Sequence, residues 1–289
     1  MILVNKNTDS LRSLSQIFTT SNFNKVVREN DFKLIEKSIK KHVSFKPSTI
    51  NYKTILKSVY DELEREYRSE YFYKNNLFHK YLLKRYSLAT TAVFNEFKIG
   101  NSIADFVLLN GTARVFEIKT DLDGLNKLQK QIEDYRKFAD LVYIVTSSKY
   151  VTKILSNYSN STIGVLEFTQ RNTFKEHKKA TTNNLSFNHL TIFKTLRKSE
   201  YLEITNDNFG HIPSVPNTKI FRACFELISK IELAEFQKMV FNQLKKRKIK
   251  CPNLLESNKT PFELKQICYS LDFSTSEYEN LYKFLQNPI

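Results

Sequence analysis

The chain has 289 residues, 41% hydrophobic and 26% charged, enough for one large or two modest domains with a real core. Five glycines and six prolines exclude long flexible linkers, and no apolar run reaches the length of a membrane span. A formal net charge of +15 makes a polyanion the first partner to consider, although Phe 23, Tyr 15 and no Trp suit an AT-rich genome that raises lysine everywhere.

Residues 1–30 are polar and suit a short helix or loose structure. From Asp31, an N-cap candidate, Phe32, Ile35, Ile39 and Val43 recur at helical spacing, and Lys46-Pro47 ends the helix. A second helix is expected from about Ser48 to Tyr73, with Tyr52, Leu56, Val59, Leu63 and Tyr67 on one stripe. Its acids Glu62, Glu64, Glu66 and Glu70 alternate with Arg65 and Arg68, the pattern of a solvated, ion-paired face. Leu77, Phe78, Tyr81, Leu82 and Arg85 make a third helical segment. It leads into a strand around Ala92–Lys98 that carries Glu96, and Ile99-Gly100-Asn101 turns the chain.

The next stretch organises the rest. Ile103 and Phe106–Leu109 form one short apolar run, Val115, Phe116 and Ile118 another, and Asn110-Gly111 between them is a hairpin-turn signal. Carboxylates are rare on such strands, yet Asp105 lies in the first and Glu117 in the second. Residues two apart share a strand face, so Glu117 and Lys119 point one way and Phe116 and Ile118 the other. A two-residue loop would put Asp105 and Glu117 on opposite faces. An odd loop, three residues with Gly111 left-handed or at a bulge, puts Asp105 on the face of Glu117 and Lys119. The odd loop is expected. The convergence suits a hard divalent cation, Mg²⁺ or Mn²⁺, which needs only one or two protein carboxylates beside its waters. Asp105 and Glu117 are the expected metal ligands, with Glu96 as a third acid and the Ile118 backbone carbonyl as an extra ligand. Lys119 would hold the attacking water or face developing negative charge.

After Lys119, Asp121 or Asp123 is expected to cap a helix with Leu125, Leu128, Ile132, Tyr135 and Ala139 on its core stripe. Gln131 and Tyr135 share a face, Gln131 able to reach the water or a phosphate and Tyr135 packing beneath it. Lys127 and Lys130 are available to phosphates near the helix start. Leu141–Thr146 reads as a buried strand reached by a right-handed parallel crossover, Val151–Tyr158 as a helix and Ile163–Phe168 as a last strand. Glu167 lies on that strand with no partner evident from the sequence. Arg171–Asn184 reads as a mobile basic loop. The C-terminal hundred residues look helical and include the basic cluster Leu244–Lys250, in which Lys245, Lys246 and Arg247 are phosphate-contact candidates.

Cys224, Cys251 and Cys268 fit no closed disulfide framework and suit a reducing cytoplasm. The five histidines are scattered and make no zinc pattern. The start, MILVNKNTDS, lacks the features of a signal peptide.

Asp105-x11-Glu117-x-Lys119, the upstream Glu96 and Gln131-x-x-x-Tyr135 on the following helix together resemble the PD-(D/E)XK nuclease superfamily. The Gln/Tyr pair is similar to that of RecB-like and Cas4-like nucleases, and Ala104 stands where the superfamily name has its Pro. The wider run FEIKTDLDGLNKL…QIEDY resembles the bacterial sce7726 family, in which an arginine often stands at the position of Lys127. The resemblance implies an α/β fold with an αβββαβ core, a mixed central sheet flanked by helices, and helical N- and C-terminal regions. The corresponding division is 1–74 helical, 75–170 core, 171–189 basic loop and 190–289 helical. It implies a metal-dependent nuclease acting on DNA ahead of RNA. The rival expectations are a nuclease-like module that binds nucleic acid or a partner without cutting, and a toxin or defence nuclease domain.

Overall fold

A computed structural model describes residues 2–45, 50–182 and 185–289. The chain forms two compact units. One comprises Met1–Tyr86, Thr120–Leu122 and Ile249–Ile289, and the other Ser87–Lys119 and Asp123–Lys248. The first unit therefore joins both ends of the chain, a partition that no linear division at 74, 170 or 189 contains.

In the first unit, β1 (Ile2–Val4) is followed by α1 (Thr8–Ser15), α2 (Thr20–Asn24) and a wide turn over Lys25–Glu29. Asn7 caps α1 by accepting from Ser10 N at 2.7 Å. Next come α3 (Lys33–His42) and β2 (Val43–Phe45), which pairs antiparallel with β1. The helix starts two residues beyond Asp31, whose carboxylate accepts from Lys33 N at 3.2 Å while Phe32 takes the cap position. The expected stop at Lys46-Pro47 and the expected start at Ser48 lie outside the described residues.

The single helix expected to reach Tyr73 is two, α4 (Tyr52–Glu66) and α5 (Glu70–Asn76), broken at Tyr67. The reason is the apolar pattern. A continuous helix would turn Phe72 half a revolution away from Leu63 and the buried stripe. The break lets Phe72 and Tyr73 both become about 1% exposed. A second wide turn, Leu77–Leu82, follows directly.

The second unit is built on a six-stranded mixed sheet. Its elements are β3 (Ala92–Ile99), β4 (Ser102–Asn110), β5 (Thr112–Lys119), α6 (Leu128–Arg136), β6 (Leu141–Thr146), α7 (Ser148–Asn157), β7 (Gly164–Phe168) and β8 (Phe174–Lys178). The strands lie in sequence order, with β5, β6 and β7 parallel and the other pairs antiparallel. Leu128, Ile132 and Tyr135 of α6 follow helical spacing and bury against Val107, Val115 and Ile144 of the sheet. Each of these aliphatic side chains contributes about 2 kcal/mol by leaving water. The helix starts later than expected. Lys127 occupies the N-cap position, and neither Asp121 nor Asp123 caps it. Asp123 is held back by Tyr150, whose hydroxyl donates to its carbonyl at 2.9 Å.

The stretch read as a basic loop contains β8. Phe174 stacks on Phe168, with ring centroids 4.7 Å apart, and this apolar anchor holds an otherwise charged segment on the sheet edge. Asn183 and Asn184 lie outside the described residues. As expected, the region beyond is helical: α8 (His189–Phe193), α9 (Lys198–Phe209), α10 (Asn217–Ile228) and α11 (Leu233–Lys245). Phe193, Tyr201, Phe225 and Phe236 form its aromatic core.

The chain then returns to the first unit with α12 (Pro252–Glu256), a 3₁₀ turn over Phe262–Leu264, α13 (Lys265–Leu271) and α14 (Thr275–Gln286). Phe284 of α14 packs on Tyr52 at 4.5 Å, and Glu277 pairs with Arg28 at 2.5 Å, tying the two chain ends together. Among the described residues, no helix is long and apolar enough to cross a membrane.

Candidate active site

The hairpin between β4 and β5 decides where the two acids meet. Asn110 pairs with Thr112, Gly111 stands alone between them at φ 74°, and the register continues to Phe106↔Phe116. Gly111 supplies the left-handed conformation that the one-residue tip requires. One further rung sets Asp105 opposite Glu117, so the odd loop places both acids on one face. The regular ladder ends at Phe106, and the Asp105 carboxylate takes over its next donor, accepting from Ile118 N at 2.8 Å.

Glu117 is the centre of the site and is only 2% exposed. Its Oε1 accepts from Lys119 Nζ at 2.7 Å and from Gln131 Nε2 at 2.6 Å. Its Oε2 accepts from the Tyr135 hydroxyl at 2.6 Å. That hydroxyl also lies 2.8 Å from the Ile103 carbonyl. Burial, and after it the negative charge of Glu117, pushes the Tyr135 hydroxyl far above its ordinary range, so it stays a donor. Lys119 is 8% exposed, its backbone carbonyl held by the Thr146 hydroxyl at 2.8 Å. The Gln131 Oε1 is buried without a hydrogen-bond partner, while its Nε2 faces Glu117.

Glu96 behaves differently. It is exposed and has φ 49°. The β3–β4 ladder runs through Asn95↔Phe106 and Phe97↔Ala104 and skips the Glu96 and Asp105 rung between them. Phe94 and Phe97, three apart, both pack toward the same core, so the strand's alternation is interrupted there. Among the described residues no three His, Cys, Asp or Glu side chains gather to hold a metal, so Glu96 does not complete a three-acid group.

The structure thus brings together Asp105, Glu117, Lys119, Gln131, Tyr135 and the Ile118 backbone. Lys127 and Lys130 are exposed around the start of α6. The C-terminal cluster is largely engaged elsewhere. Arg247 donates to Glu200 at 2.6 and 2.5 Å and to the Thr195 carbonyl at 3.0 Å, and Lys246 pairs with Glu203 at 2.5 Å. Lys245 is half-buried at the end of α11.

Two features escaped the sequence reading. Asp134, 4% exposed, accepts from the Ser102 hydroxyl at 2.8 Å, from Asn101 N at 3.1 Å and from Lys137 at 2.8 Å. Burial opposes its charge, but the bonds from Lys137, Ser102 and Asn101 outweigh that and hold its carboxyl below the usual range. It clamps α6 to the β3–β4 turn and so positions Gln131 and Tyr135. The signal was present, since residues 131, 134 and 135 form one polar helical face directed at the sheet. Glu167 also has a partner, His177 Nε2 on β8 at 2.6 Å. That pairing depends on a strand the composition concealed.

Residues 63–266 match the family described as bacteriophage P4 protein cII. Protein cII of Enterobacteria phage P4 is 28% identical over 173 residues, covering 58% of this chain and 64% of the phage protein. The chain therefore spans less than two thirds of that relative. Among solved structures, the SPO1766 protein of unknown function from Silicibacter pomeroyi aligns with a TM-score of 0.28 and 13% identity, over 42% of this chain and 82% of that one. The family match takes in all of the carboxylate site and most of residues 190–289, and on that extent the chain belongs to the bacteriophage P4 protein cII family.

Proposed function

We propose that the chain is a metal-dependent phosphodiesterase of the PD-(D/E)XK kind, acting on DNA. One observation carries the reading. Asp105 and Glu117 come from adjacent strands to the same face, with Lys119 2.7 Å from Glu117 and Gln131 and Tyr135 fixing its two oxygens. The donor set fits a hard divalent ion: two carboxylates on a rigid sheet, beside a buried Gln131 Oε1 that lacks a donor. Mg²⁺ or Mn²⁺ would be held by Asp105 and Glu117, with water completing its shell, and when bound would acidify a water and offset charge on a phosphate. Lys119 places an ammonium at the same point, where it faces an anionic transition state. Gln131 and Tyr135 keep Glu117 in one rotamer, and Asp134 keeps their helix in place.

A second reading is a module on the same fold that binds nucleic acid or a partner without cutting. It is favoured by the prior engagement of the Glu117 carboxylate, whose Oε1 accepts two hydrogen bonds and whose Oε2 accepts one.

The test is incubation of the chain with supercoiled, linear and single-stranded DNA and with RNA, in Mg²⁺, Mn²⁺ or EDTA. The variants are Glu117→Gln, Lys119→Ala and Gln131→Ala. Metal-dependent cleavage that falls by about 10²-fold or more in Glu117→Gln and Lys119→Ala is expected. Cleavage undiminished in those variants would remove the site assignment. Binding without cleavage in any metal would favour the second reading.

A further inference from the structure

We infer that a groove between α1, α2 and α3 is a separate docking surface for a nucleic-acid phosphate backbone. It lies in the first unit, outside the residues of the family match, and has no part in the carboxylate site. The groove has a volume of about 540 Å³. Leu34, Lys37, Ser38, Lys41 and His42 of α3 line one wall at i, i+3, i+4, i+7 and i+8, which is a single helical face. Ser13 of α1 and Ser21 of α2 lie on the other side, and no acidic residue lines it.

The charge is divided between the faces of α3. Lys40 is neutralised by Glu36 at 2.5 Å on a face away from the groove. Lys37 and Lys41 are exposed and, among the described residues, have no ion-pair partner. The Ser13 and Ser38 hydroxyls meet at 3.4 Å across the groove, a weak contact that leaves both able to turn toward a ligand. Lysine and hydroxyl donors without a competing carboxylate match phosphate oxygens, which carry no sequence information. The occupant is therefore a phosphodiester backbone bound without sequence preference.

The test is fluorescence anisotropy of labelled 12-nucleotide single-stranded and duplex DNA, titrated with the full chain in EDTA across a salt series. The chains are wild type, Lys37→Glu/Lys41→Glu and Lys37→Ala/Lys41→Ala, with circular dichroism to verify folding. The charge-reversed chain should bind about tenfold more weakly at low salt, and its log–log salt slope should fall by about 2, one per lost phosphate contact. The alanine pair should show the same slope change with a smaller loss. Unchanged affinity and slope in both variants, or no binding by wild type, would overturn the inference. So would equal, Lys37- and Lys41-dependent binding of a labelled poly-glutamate 12-mer, which would assign the groove to acidic peptides. Because EDTA suppresses turnover, none of these outcomes depends on whether the carboxylate site cuts.

Discussion

Glu117→Ala is the perturbation that most directly probes the site's electrostatics. In the folded chain Glu117 is 2% exposed and carries three hydrogen bonds. Its removal strands each donor differently. Tyr135 keeps the Ile103 carbonyl at 2.8 Å. Gln131 loses its amide partner, and its Oε1 is already unpaired. Lys119, 8% exposed, loses the carboxylate 2.7 Å away and is left as a buried cation. Breaking a buried pair by removing one partner costs about 3–5 kcal/mol, so a loss of about 4 kcal/mol is expected. A unit of this size shifts its melting temperature by about 2–4 °C per kcal/mol, which gives roughly 10 °C by calorimetry for the sheet unit. Glu117→Ala combined with Lys119→Met removes both charges and should recover most of that loss. A single variant melting within about 2 °C of wild type, or a double variant no better than the single, would refute the buried-pair argument.

Tyr135→Phe should cost about 1–2 kcal/mol, because the one hydroxyl proton shared between Glu117 Oε2 and the Ile103 carbonyl is lost while the ring packing is kept; chemical denaturation reads it. Gly164→Ala should destabilise by about 1–3 kcal/mol or prevent folding, since its Cβ would meet the Tyr143 ring at 2.4 Å and Ala180 N at 2.8 Å; a melting temperature equal to wild type would contradict this packing. Glu277 is held at about 2: burial opposes its charge, but the Ser274 N–H and Arg28 outweigh it. Its folded-state value is depressed, so its contribution is present above the ordinary glutamate range and is lost as pH falls through about 2. Glu277→Gln should therefore flatten the acid side of the stability profile, and a profile identical to wild type would show the contact adds nothing.

Much was legible because local rules decide it. The short apolar runs of Ile103–Leu109 and Val115–Ile118, with Asn110-Gly111 between them, specified a hairpin, and the parallel strand after α6 followed from its apolar run. The choice of an odd loop placed Asp105 with Glu117, and the i, i+4 spacing of Gln131 and Tyr135 placed both on the face that reaches Glu117. Other features depended on partners distant along the chain. Phe72 could be buried only by breaking a helix whose stripe looked continuous. β8 forms because Phe168 awaits Phe174, although the segment's composition is that of a loop. Arg247 lies in a run that looks free for phosphate, yet Glu200, 47 residues earlier, takes its guanidinium. Periodicity and turn chemistry act between near neighbours, so the sequence by itself determined β3 to β7, the hairpin and which side chains share a face. Where the left-handed Glu96 turns, which lysines remain uncompensated and how the two ends of the chain join in one unit were decided only by tertiary contacts, because burial and charge pairing depend on groups that folding alone brings together.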